Sequence, residues 1–346
     1  MRYVLPAVIA LFALLLIGGP SAAVYATPRV HTRPAISTNG PLIIEDSPLR
    51  PKNAALRNTL RAVQIGGAAR TLGPADLNST GYLTGVAASP HGHYLAVGEQ
   101  LGGLWIVSSN GTITPRRIIG GNSRIGPAVD VTTVAWSPDG LTLAYIRDTR
   151  NMGCGCGPNT PDTTPGDGLW TVQYNASQTA HLVLSSASMG TNMVNRLTGW
   201  TPDGRGVVVD TARGIEEIDI STRARRLLAA GVVGSLSPDG VTLAIHSTSG
   251  SRTAPISTLA VRSLSNGTTR VLAHTQSLVG SPVWSPDGRS IAYDWFPAGS
   301  FSGNTVGEVF EVHMIDVASG AVSVVFKDPQ SDGTESHVEA WLPAAR

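Results

Sequence analysis

Two cysteines one residue apart, Cys154 and Cys156, lie in the Gly/Pro-rich run NMGCGCGPNTPDTTPGDG. Thiols this close can form a local disulfide or offer two thiolates to a soft metal. Two thiolates are too few for a closed zinc site and no histidine lies in the run, so a surface loop stapled by a Cys154–Cys156 disulfide is expected. A second stretch reads D-x-Q-x-D-G-x5-E, placing Asp328, Gln330, Asp332, Gly333 and Glu339 near the spacing of a calcium loop. Gln330 and Glu335 depart from that pattern, no helices flank it, and Glu339 should already belong to a strand, so a solvated acidic loop is the alternative to a Ca²⁺ site. No other cofactor is implied. The chain has no G-x-S-x-G nucleophile elbow, no H-E-x-x-H zinc helix and no phosphate-binding glycine loop, and no catalytic residue is assigned.

The elements that must position such residues are announced by a turn. In VAWSPDG-LTLAYI, Pro138 presets the backbone angle, Asp139 tolerates the third turn position, and Gly140 accepts left-handed geometry between two strand-like runs. The phrase returns as AASPHGHYLAV, GWTPDGRGVVV, GSLSPDGVTLAI and VWSPDGRSIAY, and a final copy is cut off as EAWLPAAR. Each hairpin is followed by a second pair of strand-like runs, such as GLWIVS with PRRIIG and GIEEIDI with ARRLLAA. Four strands per unit, repeated every 40–50 residues or so, is the signature of a propeller blade.

The truncated last copy has a partner at the other end of the chain, where PLIIED, TLRAVQIGG and AARTLGP lack a preceding turn motif. Pairing the two ends in one blade hides the edges of the ring. The expected fold is therefore all-β: a six-bladed propeller of four-stranded antiparallel blades, five complete and one composite.

The repeated AWSPDG-x-x-(I/L)-A-(Y/F) resembles the TolB-like propeller repeat, a relative of the WD-type repeats, over roughly Pro41 to the C-terminus. The copies headed by Trp136, Trp284 and, with Thr for Ser, Trp200 carry the match; His91 replaces the motif Asp in one copy and Leu236 the Trp in another. The resemblance implies the propeller alone, since the separate N-terminal α/β domain of TolB is not expected here. Prolyl-oligopeptidase-type enzymes set a similar propeller beside a hydrolase domain, which is not expected either.

In such a ring Trp136, Trp200, Trp284 and Trp341 pack blade against blade, and Asp139, Asp203, Asp239 and Asp287 are turn residues before they are ligands. Early polar positions of the innermost strands should face the channel. Asp130, Thr132, Asn195, Arg196, His337 and Glu339 form the expected channel-mouth binding set, with a water-filled channel as the plain alternative.

The chain has 346 residues, 42% apolar and 14% charged, with a net charge of +1. That suffices for a large core, and the absence of a basic stripe argues against a nucleic-acid partner. Residues 1–26 combine one basic residue, an apolar run and small residues at their end, as a cleaved signal peptide or an uncleaved anchor would. Residues 27–40 read as a flexible linker and 41–346 as the propeller. An extracytoplasmic location follows from either reading of the N-terminus, secreted, periplasmic or cell-surface, with the membrane involved only through an anchor. The expected protein is a monomeric, non-enzymatic binding or scaffold propeller with a protein, peptide or glycan ligand. The alternative is a lyase- or lactonase-like enzyme with a polar, metal-assisted site in the channel.

Overall fold

Apolar runs on both sides of each Ser/Thr-Pro-Asp-Gly turn can be buried only if each hairpin is covered on both faces, and the chain achieves this by stacking blades. A computed structural model describes residues 39–48, 59–72, 83–99, 102–120, 129–148, 166–175, 179–189, 196–211, 213–230, 234–251, 254–280, 282–296, 311–327 and 334–344. Strands β1 (Leu42–Pro48), β2 (Thr59–Val63) and β3 (Ala69–Leu72) come first. Blade 1 follows as β4 (Leu83–Ala88), β5 (Tyr94–Glu99), β6 (Gly103–Ser108) and β7 (Arg116–Ile119). Blade 2 is β8 (Val131–Trp136), β9 (Thr142–Arg147), β10 (Gly168–Gln173) and β11 (His181–Ser185), after which comes one helical turn, α1 (Ser186–Met189). Blade 3 comprises β12 (Arg196–Trp200), β13 (Gly206–Thr211), β14 (Gly214–Asp219) and β15 (Arg225–Ala230). Blade 4 comprises β16 (Gly234–Leu236), β17 (Thr242–Ser251), β18 (Ala254–Ser263) and β19 (Thr269–Thr275).

Blade 5 departs from the pattern. Its innermost strand is split into β20 (Leu278–Val279) and β21 (Val283–Trp284), both pairing with β22 (Ser290–Phe296), which continues to β23 (Glu311–Asp316) and β24 (Val322–Lys327). The last strand, β25 (Thr334–Trp341), pairs antiparallel with β1, giving the sheet order β25-β1-β2-β3. The fold is thus the expected all-β, six-bladed propeller, with its termini paired in blade 6.

Six hydrophobic clusters hold the ring, each shared by two consecutive blades: Val97 and Ala340 close blade 6 onto blade 1, and Ala292 and Leu42 close blade 5 onto blade 6. The motif tryptophans cross these layers. Trp136 Nε1 donates to the Ala87 carbonyl of the preceding blade at 3.1 Å, Trp200 to Ala135 at 3.1 Å, and Trp284 to Ser235 at 3.0 Å.

The turns form a second ring. Gly92, Gly140, Gly204, Gly240 and Gly288 have φ between 68° and 73°, where a Cβ is strained. Each lies against the proline of the preceding turn, pairing Gly140 with Pro90, Gly204 with Pro138, Gly240 with Pro202 and Gly288 with Pro238. The truncated copy completes the circuit, because Pro343 packs on Gly92. Blade 6 has no Asp-Gly of its own, and Asn39 stands in: its Oδ1 accepts from the Asp287 amide of blade 5 at 3.3 Å. The motif aspartates are turn residues here, as Asp139 Oδ1 accepts from Ser137 Oγ at 2.5 Å and from the Leu141 amide at 2.9 Å.

Candidate functional site: the central channel

Around the axis the innermost strands converge on a cavity of about 610 Å³, to which all six blades contribute. Strand register explains which side chains reach it. In blades 1, 2, 3 and 6 the innermost strand carries one residue more than its partner, and the extra residues are Thr84, Thr132, Thr198 and Glu339. A bulge re-aims the side chain it carries, and all four line the cavity. Three of these bulges present a hydroxyl; the fourth presents a carboxyl.

Behind the inner strand, the next strand outward has a recurring position six residues after the turn glycine, and of its residues Asp294 lines the cavity. That position holds Gly98, Ile146, Asp210, His246 and Asp294 in blades 1 to 5, and Glu45, opposite His337 in the β1–β25 register, takes the same place in blade 6. Asp294 enters the cavity because the inner strand is broken in front of it. A Cβ at Gly280 would fall 2.8 Å from both Cβ and Oδ2 of Asp294, so only glycine leaves that space. Asp294 then accepts from the Val338 amide at 2.8 Å and meets Nδ1 of His337 at 3.1 Å.

Four of the six residues expected at the channel mouth line the cavity: Thr132, Arg196, His337 and Glu339. Asn195 lies outside the described residues. Asp130 is buried just before β8 and is not part of the cavity wall; its carboxylate has no hydrogen-bond partner among the described residues. Burial, then the charges of Asp148 and Asp167, push it up to about 7. Cys154 and Cys156, and Asp328, Gln330, Asp332 and Gly333 of the acidic stretch, lie outside the described residues; Glu339 belongs to β25.

The electrostatics are uneven around the ring. Burial holds the Glu339 carboxyl well above the ordinary carboxylate range, reinforced by Glu45 and Asp294 and opposed by Arg196 and His337. Asp210, opposite Arg196 in the register, is pushed up to about 7 by burial despite that guanidinium and a bond from the Gly234 amide. His246 is held below its ordinary value by burial and by Arg196. An imidazole biased to its neutral form and carboxyls biased toward their protonated form therefore surround the Arg196 guanidinium. Among the described residues, no group of three or more His, Cys, Asp or Glu side chains is arranged to hold a metal ion.

No family model and no curated protein matches the chain. Solved structures do. TolB from Acinetobacter baumannii superposes with a TM-score of 0.60 at 18% identity, over 87% of this chain and 67% of that one. A putative TolB from Agrobacterium tumefaciens gives 0.53 at 17% identity, over 83% of this chain and 89% of that one.

The fold is a TolB-like β-propeller.

An oligogalacturonate lyase in complex with manganese also matches, at a TM-score of 0.49 and 15% identity, over 77% of this chain and 70% of that one. Within this TolB-like propeller, Asp294 is the cavity-lining acid that the sequence reading passed over. It sits on a second strand and reaches the cavity through a break in the strand in front.

Proposed function

We propose that this protein is an exported, non-enzymatic binding propeller whose channel receives a segment of a protein or peptide ligand. One observation carries the reading: a cavity reached from all six blades, lined by the four bulged residues with Arg196, His337 and Asp294, while the turn end of the blades is spent on architecture. Concave sites with a few convergent polar groups are where ligands bind. The likeness to TolB is one of fold and supports a binding role in general only.

Export rests on residues 1–26, read as a cleaved signal peptide or an anchor; among the described residues no helix is long and apolar enough to cross a membrane. Mass spectrometry of the mature N-terminus separates cleavage from retention. For the channel, a photo-crosslinking side chain at Thr132 is compared with one at exposed Arg226 in living cells. The reading expects one discrete adduct at Thr132 and none at Arg226; labelling at Arg226 alone would refute it.

A second reading, a propeller enzyme, is favoured by the Asp294–His337 contact beside the raised Glu339, an arrangement able to move a proton. Its metal-assisted form finds no ligand set among the described residues. Loss of turnover on a candidate substrate in Glu339→Gln, with Arg196→Gln unaffected, would establish it.

A further inference from the structure

Arg196 lines the cavity, and among the described residues its guanidinium forms neither a hydrogen bond nor an ion pair. Its flanking blades present Thr132 and Ser235, cavity-lining hydroxyls that likewise have no hydrogen-bond partner among the described residues. Blade 3 stands across the ring from blade 6, so the facing wall carries Glu339 and His337, with Asp294 beside them from blade 5. The cavity lining is therefore polarised, with a cation and two hydroxyls on one side and acids on the other, while Asp210 lies behind Arg196 on its own blade. A guanidinium with its donors unused and hydroxyls alongside matches a carboxylate, which it can grip with two parallel hydrogen bonds.

We propose that the wall formed by blades 2, 3 and 4 binds the carboxylate of a peptide ligand through Arg196, assisted by Thr132 and Ser235. The proposal rests on the channel-binding reading and gives it a ligand chemistry. A peptide is favoured over a sugar acid because the aromatic side chains that line the cavity, Trp136 and Phe296, are each only 7% exposed and offer no open ring face. The acids of the far wall repel an anion and so fix its direction.

Asp210, His246 and Glu339 are the titratable groups facing Arg196, and Glu45, Asp294 and His337 in turn face Glu339. When Asp210 and Glu339 ionise they compete for the guanidinium. Carboxylate binding should therefore weaken as pH rises from 6 to 8, and it is lost at low pH only when the ligand itself protonates.

Calorimetric titration of the folded full chain decides the matter with three N-acetylated tetrapeptides built on alanine. One has a free C-terminal carboxylate, one a C-terminal amide, and one an amide plus a single aspartate side chain. At least one carboxylate form should bind about ten- to a hundred-fold tighter than the plain amide, and the pair tells a terminal from a side-chain carboxylate. Arg196→Gln should abolish the difference, Arg196→Lys should keep part of it, and Arg205→Gln, on an exposed turn, should leave it intact. Asp210→Asn should tighten binding at pH 8 and flatten its pH dependence. Equal binding of acid and amide, or indifference to Arg196→Gln in a variant whose melting is unchanged, overturns the carboxylate site but leaves the channel reading standing. If no tetrapeptide binds, the carboxylate site is overturned, and the channel reading is then judged by cross-linking at Thr132.

Discussion

The two ends of each blade carry the same chain in opposite ways. At the turn end, blades 2 to 5 repeat one solution, a Ser or Thr and an Asp bonded within the turn, and all five complete blades rest the turn glycine on the proline of the blade before, with His91 in place of Asp in blade 1. At the channel end, the second-strand position runs Gly98, Ile146, Asp210, His246, Asp294 and Glu45 around the ring. A residue type held constant by geometry at one end is released at the other. The lesson is that symmetry in this molecule marks architecture and its breakdown marks chemistry, with Gly98 and Ile146 in blades 1 and 2 and ionisable side chains in blades 3 to 6.

Several substitutions break or sharpen that contrast. The largest loss is expected for Trp200→Ala, which empties an inter-blade layer and removes the bond to Ala135. Denaturant unfolding should show a loss of about 3–5 kcal/mol. Gly280→Ala tests the channel end: its methyl would collide with Asp294, at a cost of about 1–3 kcal/mol and with displacement of the carboxylate from His337. Glu339→Gln tests the electrostatic asymmetry. The folded protein holds the Glu339 proton more tightly than the unfolded chain does. The stability of the parent protein therefore falls as pH rises above the ordinary glutamate range, near 4.3. The variant should lack that decline and be more stable by about 1–2 kcal/mol at pH 9, with little difference at pH 4. The smallest effect belongs to Asp139→Ala, which loses two turn hydrogen bonds at an exposed site, about 1 kcal/mol in thermal melting, with no change at the channel.

What the sequence discloses follows the same division. Trp136, Pro138 and Gly140 could be read as packing and turn residues because they recur, and Pro343 could be read as the sixth copy because it ends one. Closure of the ring by β1 and β25 followed from the same repetition. Arg196, His337, Glu339 and Thr132 were legible as channel residues from their place at the start of inner strands. Asp294 was not, because its access depends on a break at Gly280 in a different strand, a long-range relation with no local signature. Glu339 could be placed in a strand, but not as the bulge that aligns it with three threonines. That shift is set by pairing with β1, nearly 300 residues away in sequence. Asp130, read as part of the mouth, is instead buried short of it, because the innermost strand begins one residue later at Val131.

The central claim is that binding belongs to the varied channel end and stability to the repeated turn end. Titrating the same N-acetylated carboxylate tetrapeptide into Arg196→Gln and Asp139→Ala, with a melting curve for each, tests it most directly. The account predicts that Arg196→Gln loses binding while melting as the parent does, and that Asp139→Ala melts earlier while binding as the parent does. Binding lost in Asp139→Ala and retained in Arg196→Gln would contradict it.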